Sequence, residues 1–301
     1  MTGRFQQKDI DHYHAHGYVL LENFLSDQEL TQIQTDLDGV IPGWRQAVDP
    51  TLPRPDGWQA PREFYSNKRF PFTCSSLNEM TFHPELLRFA ETVCGHRDFF
   101  CDQSDLTYKC KGHRRDSDQP MHMDFGNHTL VYPSSNPKYW QVTYLVYYTD
   151  VTDMHAPTAI VPWGHYKDEV HWPILHTPKE RPDLYEREIM ATVPAGSVLA
   201  YSTLTYHRGT AFKGDVGRVG HFVSYSPKDC PWVGIVSWPG QAASDDYHTW
   251  VESSSEQERE LLGFPPPGHD YWTPETVRGT QARFPKLDMS PYVNALQRRE
   301  L

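Results

Sequence analysis

Val193-Pro194-Ala195-Gly196-Ser197-Val198-Leu199-Ala200-Tyr201 runs into Leu204-Thr205-Tyr206-His207-Arg208-Gly209 and then into Gly217-Arg218-Val219-Gly220-His221-Phe222-Val223-Ser224-Tyr225. A Pro-Ala-Gly turn opens an apolar strand, a second short run follows, and a third is rich in β-branched and aromatic residues. Working outward, the same kind of run recurs at 99–101, 105–110, 122–125, 139–149, 158–162, 189–193, 197–202, 218–226 and 233–237, separated by Gly, Pro, Asp and Asn. A parallel α/β sheet would need helices of roughly 10 to 15 residues between strands. Between 97 and 237 the one helical signal lies near Leu184. The pattern therefore predicts a mainly β fold with a jelly-roll core, a double-stranded β-helix of the cupin-like kind, flanked by N-terminal and C-terminal helices.

The flanks carry local signals of their own. Ile10, Tyr13 and His14 stand at helical spacing before Gly17, a residue suited to a helix C-cap, and Tyr18-Val19-Leu20-Leu21 is a short apolar strand. Ser26-Asp27-Gln28-Glu29 is a capping box ahead of Leu30, Ile33 and Leu37. The segment 42–71 is rich in Pro, Trp and charge and reads as a surface loop with one helical turn, whereas 83–94 regains a helical stripe. After Pro239 the tail is polar, with helices at 257–262 and 275–283 and a last turn at 292–297. We expect one domain over 1–301. Its parts are a helical flank over about 1–95, the jelly-roll core over about 97–237, and an extension over about 238–301 that packs on the core because it is too loop-rich to form its own.

Composition narrows the partners. The 301 residues carry a formal net charge of −11 and no run of Lys or Arg, which argues against nucleic acid and against an anionic membrane surface. No apolar run approaches the roughly 20 residues that span a bilayer. Cys74, Cys94, Cys101, Cys110 and Cys230 form no Cys-x-x-Cys pair and read as reduced thiols. The expectation is a cytoplasmic protein acting on a small molecule.

The chemistry is concentrated in Met121-His122-Met123-Asp124-Phe125. On an extended chain residues i and i+2 share a face, so His122 and Asp124 can grip one ion. With His207 from another strand they make the donor set of a 2-His-1-carboxylate triad, which suits Fe(II) and leaves positions for a co-substrate and O2. Arg218 stands eleven residues after His207. A hairpin turned at Lys213-Gly214-Asp215 would place its guanidinium beside the metal. There it would clamp the distal carboxylate of 2-oxoglutarate in a planar fork. Two other readings stay open at this level: a jelly-roll module that binds a small molecule without catalysis, and a zinc hydrolase using the same donors. Arg218 discriminates against the binding module, which needs no buried cation at that spacing, and metal analysis with a succinate assay separates all three.

The opening His16-Gly17-Tyr18-Val19-Leu20-Leu21-Glu22-Asn23-Phe24-Leu25-Ser26, taken with His122-x-Asp124, His207 and Arg218 in that order, resembles the phytanoyl-CoA dioxygenase family from about Asp9 to Pro227. The resemblance implies an Fe(II)- and 2-oxoglutarate-dependent dioxygenase that hydroxylates a C–H bond of a small organic molecule and releases succinate and CO2. It implies iron ligation by His122, Asp124 and His207, and co-substrate binding by Arg218. Trp140, sixteen residues after Asp124, matches an aromatic of the co-substrate pocket, and Lys109 matches a lysine on the strand before His-x-Asp. Thr143 is a further candidate for that pocket. Pro162-Trp163-Gly164-His165 departs at two positions from the family's Pro-Gly-Ser-His turn, and Ala156-Pro157-Thr158 stands where Asn-Gly is usual. Asp124 argues against halogenation, for which the carboxylate ligand gives way to a small residue. His155 and His165 are candidate polar groups of the active site. The loops 42–71, 126–138 and 163–188 are the candidates for a lid. No motif names the substrate, a CoA thioester or an oligomeric state.

Overall fold

The computed structural model describes residues 3–61, 68–113, 116–129, 132–166, 171–230, 238 and 244–299. The N-terminal flank follows its local signals. Helix α1 (Gln7–His16) buries Ile10 and Tyr13 and stops at Gly17, whose φ of 77° is left-handed and whose N–H donates to the Tyr13 carbonyl at 2.8 Å. A Cβ on Gly17 would come within 2.3 Å of the Trp163 ring, so the close approach as well as the backbone calls for glycine. Strand β1 (Tyr18–Leu21) follows, and α2 (Asp27–Val40) begins at the Ser26/Glu29 capping box. Helix α3 (Trp44–Val48) is the single turn read within 42–71. Helix α4 (Ser75–Thr81) was not anticipated, and α5 (Pro84–Cys94) buries Leu86, Leu87, Phe89, Ala90 and Val93.

The core is a jelly roll. Its strands are β2 (Phe99–Cys110), β3 (Met121–His122), β4 (Val142–Tyr147), β5 (Thr158–Ile160), β6 (Leu175–His176), β7 (Ile189–Met190), β8 (Val198–Ser202), β9 (His207–Gly209) and β10 (Gly217–Pro227), with α6 (Pro182–Glu186) at the helical signal near Leu184. They form two five-stranded antiparallel sheets, ordered β1-β8-β4-β10-β2 and β6-β3-β9-β5-β7. Strand β4 shows how the larger sheet is used. Tyr144 faces outward, donating from its hydroxyl to the Leu86 carbonyl of α5 at 2.8 Å, while Leu145 and Tyr147 pack inward with Ile160 and Leu199.

Three expectations change, and a fourth is not reached. The runs 99–101 and 105–110 are one strand: of the polar residues between them Gln103 lines the cavity, while Ser104 bonds Thr81 and His221 on the other face. The strand expected at 122–125 ends at His122; Asp124 has helical φ and ψ (−88°, −13°) and leads into a 3-10 turn at Phe125–Asn127. The expected β9–β10 hairpin does not form: β9 pairs with β3 and β5, whereas β10 pairs with β2 and β4 in the other sheet. The expected strand at 233–237 lies outside the described residues.

The tail adds α7 (Asp245–Ser253), α8 (Glu256–Leu261), α9 (Pro274–Arg283) and α10 (Ser290–Arg299), the first of them unforeseen. Trp250 of α7 stacks on Phe82 at 5.3 Å and meets Phe70 edge-on at 4.6 Å, so the extension shares the main hydrophobic cluster. No helix among the described residues is long and apolar enough to cross a membrane.

Candidate active site

Adjacent strands β3 and β9 of one sheet hold His122 and His207 side by side as register partners. Their rings lie 4.6 Å apart. Asp124 joins them because the chain turns after β3, pinned where its N–H donates to the Thr203 carbonyl at 3.2 Å. Its carboxylate stands 3.7 Å from His122 Nε2 and 3.3 Å from His207 Nε2. One donor atom from each of the three lies within 4.8 Å of the others, a group that could hold a metal ion.

The surroundings prepare those donors. His122 Nδ1 is 2.8 Å from the Pro120 carbonyl and His207 Nδ1 is 2.9 Å from the Thr205 carbonyl. Only an N–H can face a carbonyl, so each ring carries its proton on Nδ1 and turns the Nε2 lone pair toward the centre. Tyr201 donates from its hydroxyl to Asp124 Oδ2 at 3.0 Å, and its ring packs against His207 at 4.8 Å. Burial would raise the Asp124 pKa, but the neighbouring His207 and His122 outweigh it and hold the carboxyl well below the usual range. Burial, with His207 adding to it, lowers the His122 pKa. For His207 the attraction of Asp124 overcomes burial and raises it. An ionised carboxylate and two lone pairs on one point are a fitting donor set for Fe(II).

Arg218 lies in the same cavity, a space of about 310 Å³ that both triad histidines also line. It is 7% exposed, and its Nη1 has no hydrogen-bond partner among the described residues. Its nearest aromatic is the Tyr147 ring at 5.8 Å, and burial pushes its pKa down. Among the described residues no carboxylate pairs with it. A buried cation with an orphaned N–H is the counterpart that an incoming carboxylate fits. Lys109 is its register partner on β2 and lines the same cavity.

Other candidates fall elsewhere. Trp140 packs edge-on against Trp163 at 5.1 Å and donates to the Ser134 carbonyl, away from the cavity wall. Thr143 faces inward opposite Tyr201 but accepts from the Ser224 hydroxyl at 3.1 Å and does not line the cavity. His155 bonds Thr152 at 2.8 Å on a different surface depression. The His165 side chain lies outside what the structure describes. The three lid candidates each include undescribed residues (62–67, 130–131 and 167–170), and the start of 126–138 supplies Asn127 and His128 to the cavity. Sequence reasoning missed Tyr201, Asp105, Arg69 and His128. The inward alternation of Gln103, Asp105 and Thr107 with Lys109 was the available signal for one of them.

A family model described as Phytanoyl-CoA dioxygenase (PhyH) matches residues 13–220. Comparison with curated proteins finds no match. Among solved structures, the carbocyclase SnoK from nogalamycin biosynthesis, described as non-heme and alpha ketoglutarate dependent, is 20% identical with a TM-score of 0.54, over 80% of this chain and 91% of that one. EctD from S. alaskensis with bound Fe is 16% identical with a TM-score of 0.55, over 75% and 78%. HygX from Streptomyces hygroscopicus, with nickel, 2-oxoglutarate and hygromycin B bound, is 16% identical with a TM-score of 0.54, over 75% and 88%. At these identities the likeness is one of fold, and it agrees with the jelly roll described above. The family match spans the flank, the His-x-Asp turn, His207 and Arg218, and on it the chain belongs to the phytanoyl-CoA dioxygenase family.

Proposed function

We propose that the protein is an Fe(II)- and 2-oxoglutarate-dependent dioxygenase that hydroxylates a C–H bond of a small organic molecule. The observation that carries this reading is the pairing, in one cavity, of the His122/Asp124/His207 group with the orphaned guanidinium of Arg218. His122, Asp124 and His207 would hold the metal. Bound iron(II) supplies the activation of O2 that couples decarboxylation of 2-oxoglutarate to succinate and CO2 with oxidation of the substrate.

The chain's own residues do the rest. The Pro120 and Thr205 carbonyls fix both imidazole tautomers, and the Tyr201 hydroxyl orients one oxygen of Asp124. Arg218 would hold the distal carboxylate of the co-substrate, with Lys109 beside it adding positive charge. Leu145 and Phe222 contribute an apolar part of the wall, which limits water around the reacting groups.

Five free cysteines support a reducing, cytoplasmic setting, and the shared hydrophobic cluster supports reading 1–301 as one domain. Structural relatives are described as an epimerase and a carbocyclase, so the test must identify the organic product as well as succinate. Protein given Fe(II), 2-oxoglutarate, O2 and candidate small molecules should release succinate and a product heavier by one oxygen atom. Succinate with an oxygen-free product would keep the co-substrate assignment and refute hydroxylation.

A further inference from the structure

We propose that the end of the cavity opposite the co-substrate recognises a small, uncharged, hydroxyl-rich molecule, polyol-like or sugar-like, through Asp105, Arg69 and His128. This rests on the dioxygenase reading, because it divides one cavity between co-substrate and substrate. The division follows from strand register. Lys109 on β2 partners Arg218 on β10, which places two cations side by side at the end suited to a dicarboxylate. Asp105 shares their face four residues along β2, roughly 13 Å away at the rise of an extended strand. Its own register partner is Phe222, whose ring also lines the cavity. That end therefore combines an apolar surface with polar groups.

The polar groups there define the ligand. Asp105 Oδ1 accepts from Arg69 Nε at 2.8 Å, and Oδ2 accepts from the Gln103 amide at 3.0 Å. Each carboxylate oxygen keeps acceptor capacity after one bond, and Arg69 keeps further N–H donors. A lone carboxylate would select an ammonium and a lone guanidinium would select an anion. Paired, they cancel in charge and leave an acceptor beside a donor, which a hydroxyl group satisfies on both counts. The pair is reachable, at 32% and 15% side-chain exposure for Arg69 and Asp105.

His128 adds a second donor. The Gln141 side chain contacts the Asp102 carboxylate with its nitrogen, since its oxygen would be repelled there, and the same nitrogen lies 2.9 Å from His128 Nδ1. Nδ1 is thus an acceptor, and the ring proton sits on Nε2. Asp102 and Gln141 are buried, and Asp102 Oδ1 and Gln141 Oε1 have no hydrogen-bond partner among the described residues. No member of this buried relay is one of the three candidate metal donors, and its outer member, His128, lines the cavity. At about 310 Å³ the whole space is at the small end of ligand sites, and the co-substrate would occupy part of it. An acyl chain placed in the remainder would leave the spare acceptor and donor positions of Asp105, Arg69 and His128 unmet.

The test is calorimetry on the full chain loaded with Ni(II), a redox-silent stand-in, and 2-oxoglutarate. Probes are myo-inositol, mannitol and methyl glucoside against decanoate and decanoyl-CoA, with parallel titrations on metal-free protein. We expect binding from the neutral polyol set and none from the acyl set. Asp105→Asn and, separately, Arg69→Gln should weaken it at least tenfold, with unchanged affinity for Ni(II) and 2-oxoglutarate. Binding confined to the acyl probes, no binding by any polyol, or polyol binding that both variants leave intact overturns the proposal. Failure of the wild-type protein to bind 2-oxoglutarate is read in its own titration and refutes the dioxygenase reading instead.

Discussion

Replacing Arg218 separates what its charge does for the ligand from what it does for the fold. The side chain is 7% exposed, has an orphaned Nη1, and has Tyr147 as its close aromatic neighbour. If it forks the distal carboxylate of 2-oxoglutarate, truncation removes one partner of a buried charge pair, a loss of about 2 to 5 kcal/mol. That corresponds to a dissociation constant raised from about 30-fold to several thousandfold. Arg218→Lys should fall between, because an ammonium is a point charge without the fork. Folding should respond in the opposite sense. The cation is buried without an acidic partner, so Arg218→Met, which keeps bulk and removes charge, should leave the stability of the metal-free protein unchanged or higher. Calorimetric titration of 2-oxoglutarate into Ni(II)-loaded protein reads the first effect, and urea denaturation of metal-free protein reads the second. A 2-oxoglutarate affinity within threefold of wild type for Arg218→Ala, or a loss above about 2 kcal/mol for Arg218→Met, would refute the reasoning.

Tyr201→Phe removes the hydroxyl that donates to Asp124 Oδ2 and should weaken metal binding about 10- to 100-fold, the usual range for such supporting partners, as measured by competition with a chelator. Two buried groups set an acid response with opposing signs. His221, between Ser104 and Tyr148, has its pKa lowered by burial to about 3, so its contribution is complete above the ordinary histidine pKa of about 6.5 and is lost as pH falls toward 3, by up to about 1.4 kcal/mol per pH unit. Asp102 is raised by burial to about 6, so its contribution is present at low pH and is lost as pH rises through that value. The two largely cancel between about pH 4 and 6, and Asp102→Asn should therefore steepen acid destabilisation in that window, measured by urea midpoints against pH. Trp250→Ala should cost about 3 to 5 kcal/mol by removing a ring stacked on Phe82 and edge-on to Phe70, and a loss below about 1 kcal/mol would show that the tail does not share the core.

What could be read in one dimension was local. Gly17, the Ser26/Glu29 box and the β10 run each state their structure through backbone preference or side-chain period, and the structure follows them. The His122/Asp124 pairing was legible, but the geometric reason was different: both residues reach one point because the chain bends after His122, and no extended strand joins them. The eleven-residue interval from His207 to Arg218 suggested a hairpin, since spacing carries no information on which sheet a strand enters. In the jelly roll those strands lie in opposite sheets, and the two residues line one cavity between them. The Asp102–Gln141–His128 relay was invisible for a similar reason, because its contacts span 39 and 13 positions. The polar stretch Asp102–Ser104 reads as a gap between strands because polarity suggests a turn, whereas Gln103 borders a polar cavity and Ser104 is satisfied by Thr81 and His221 on the other face.

The central claim is that His122, Asp124 and His207 hold an iron that turns over 2-oxoglutarate. Its most direct measurement is single-turnover succinate formation by anaerobically purified protein given one equivalent of Fe(II) and 2-oxoglutarate and then exposed to O2, with bound iron quantified in the same samples. We predict stoichiometric iron and succinate for the wild-type chain, and neither for Asp124→Ala at unchanged secondary structure. Iron retention and succinate formation by Asp124→Ala equal to wild type would contradict the account.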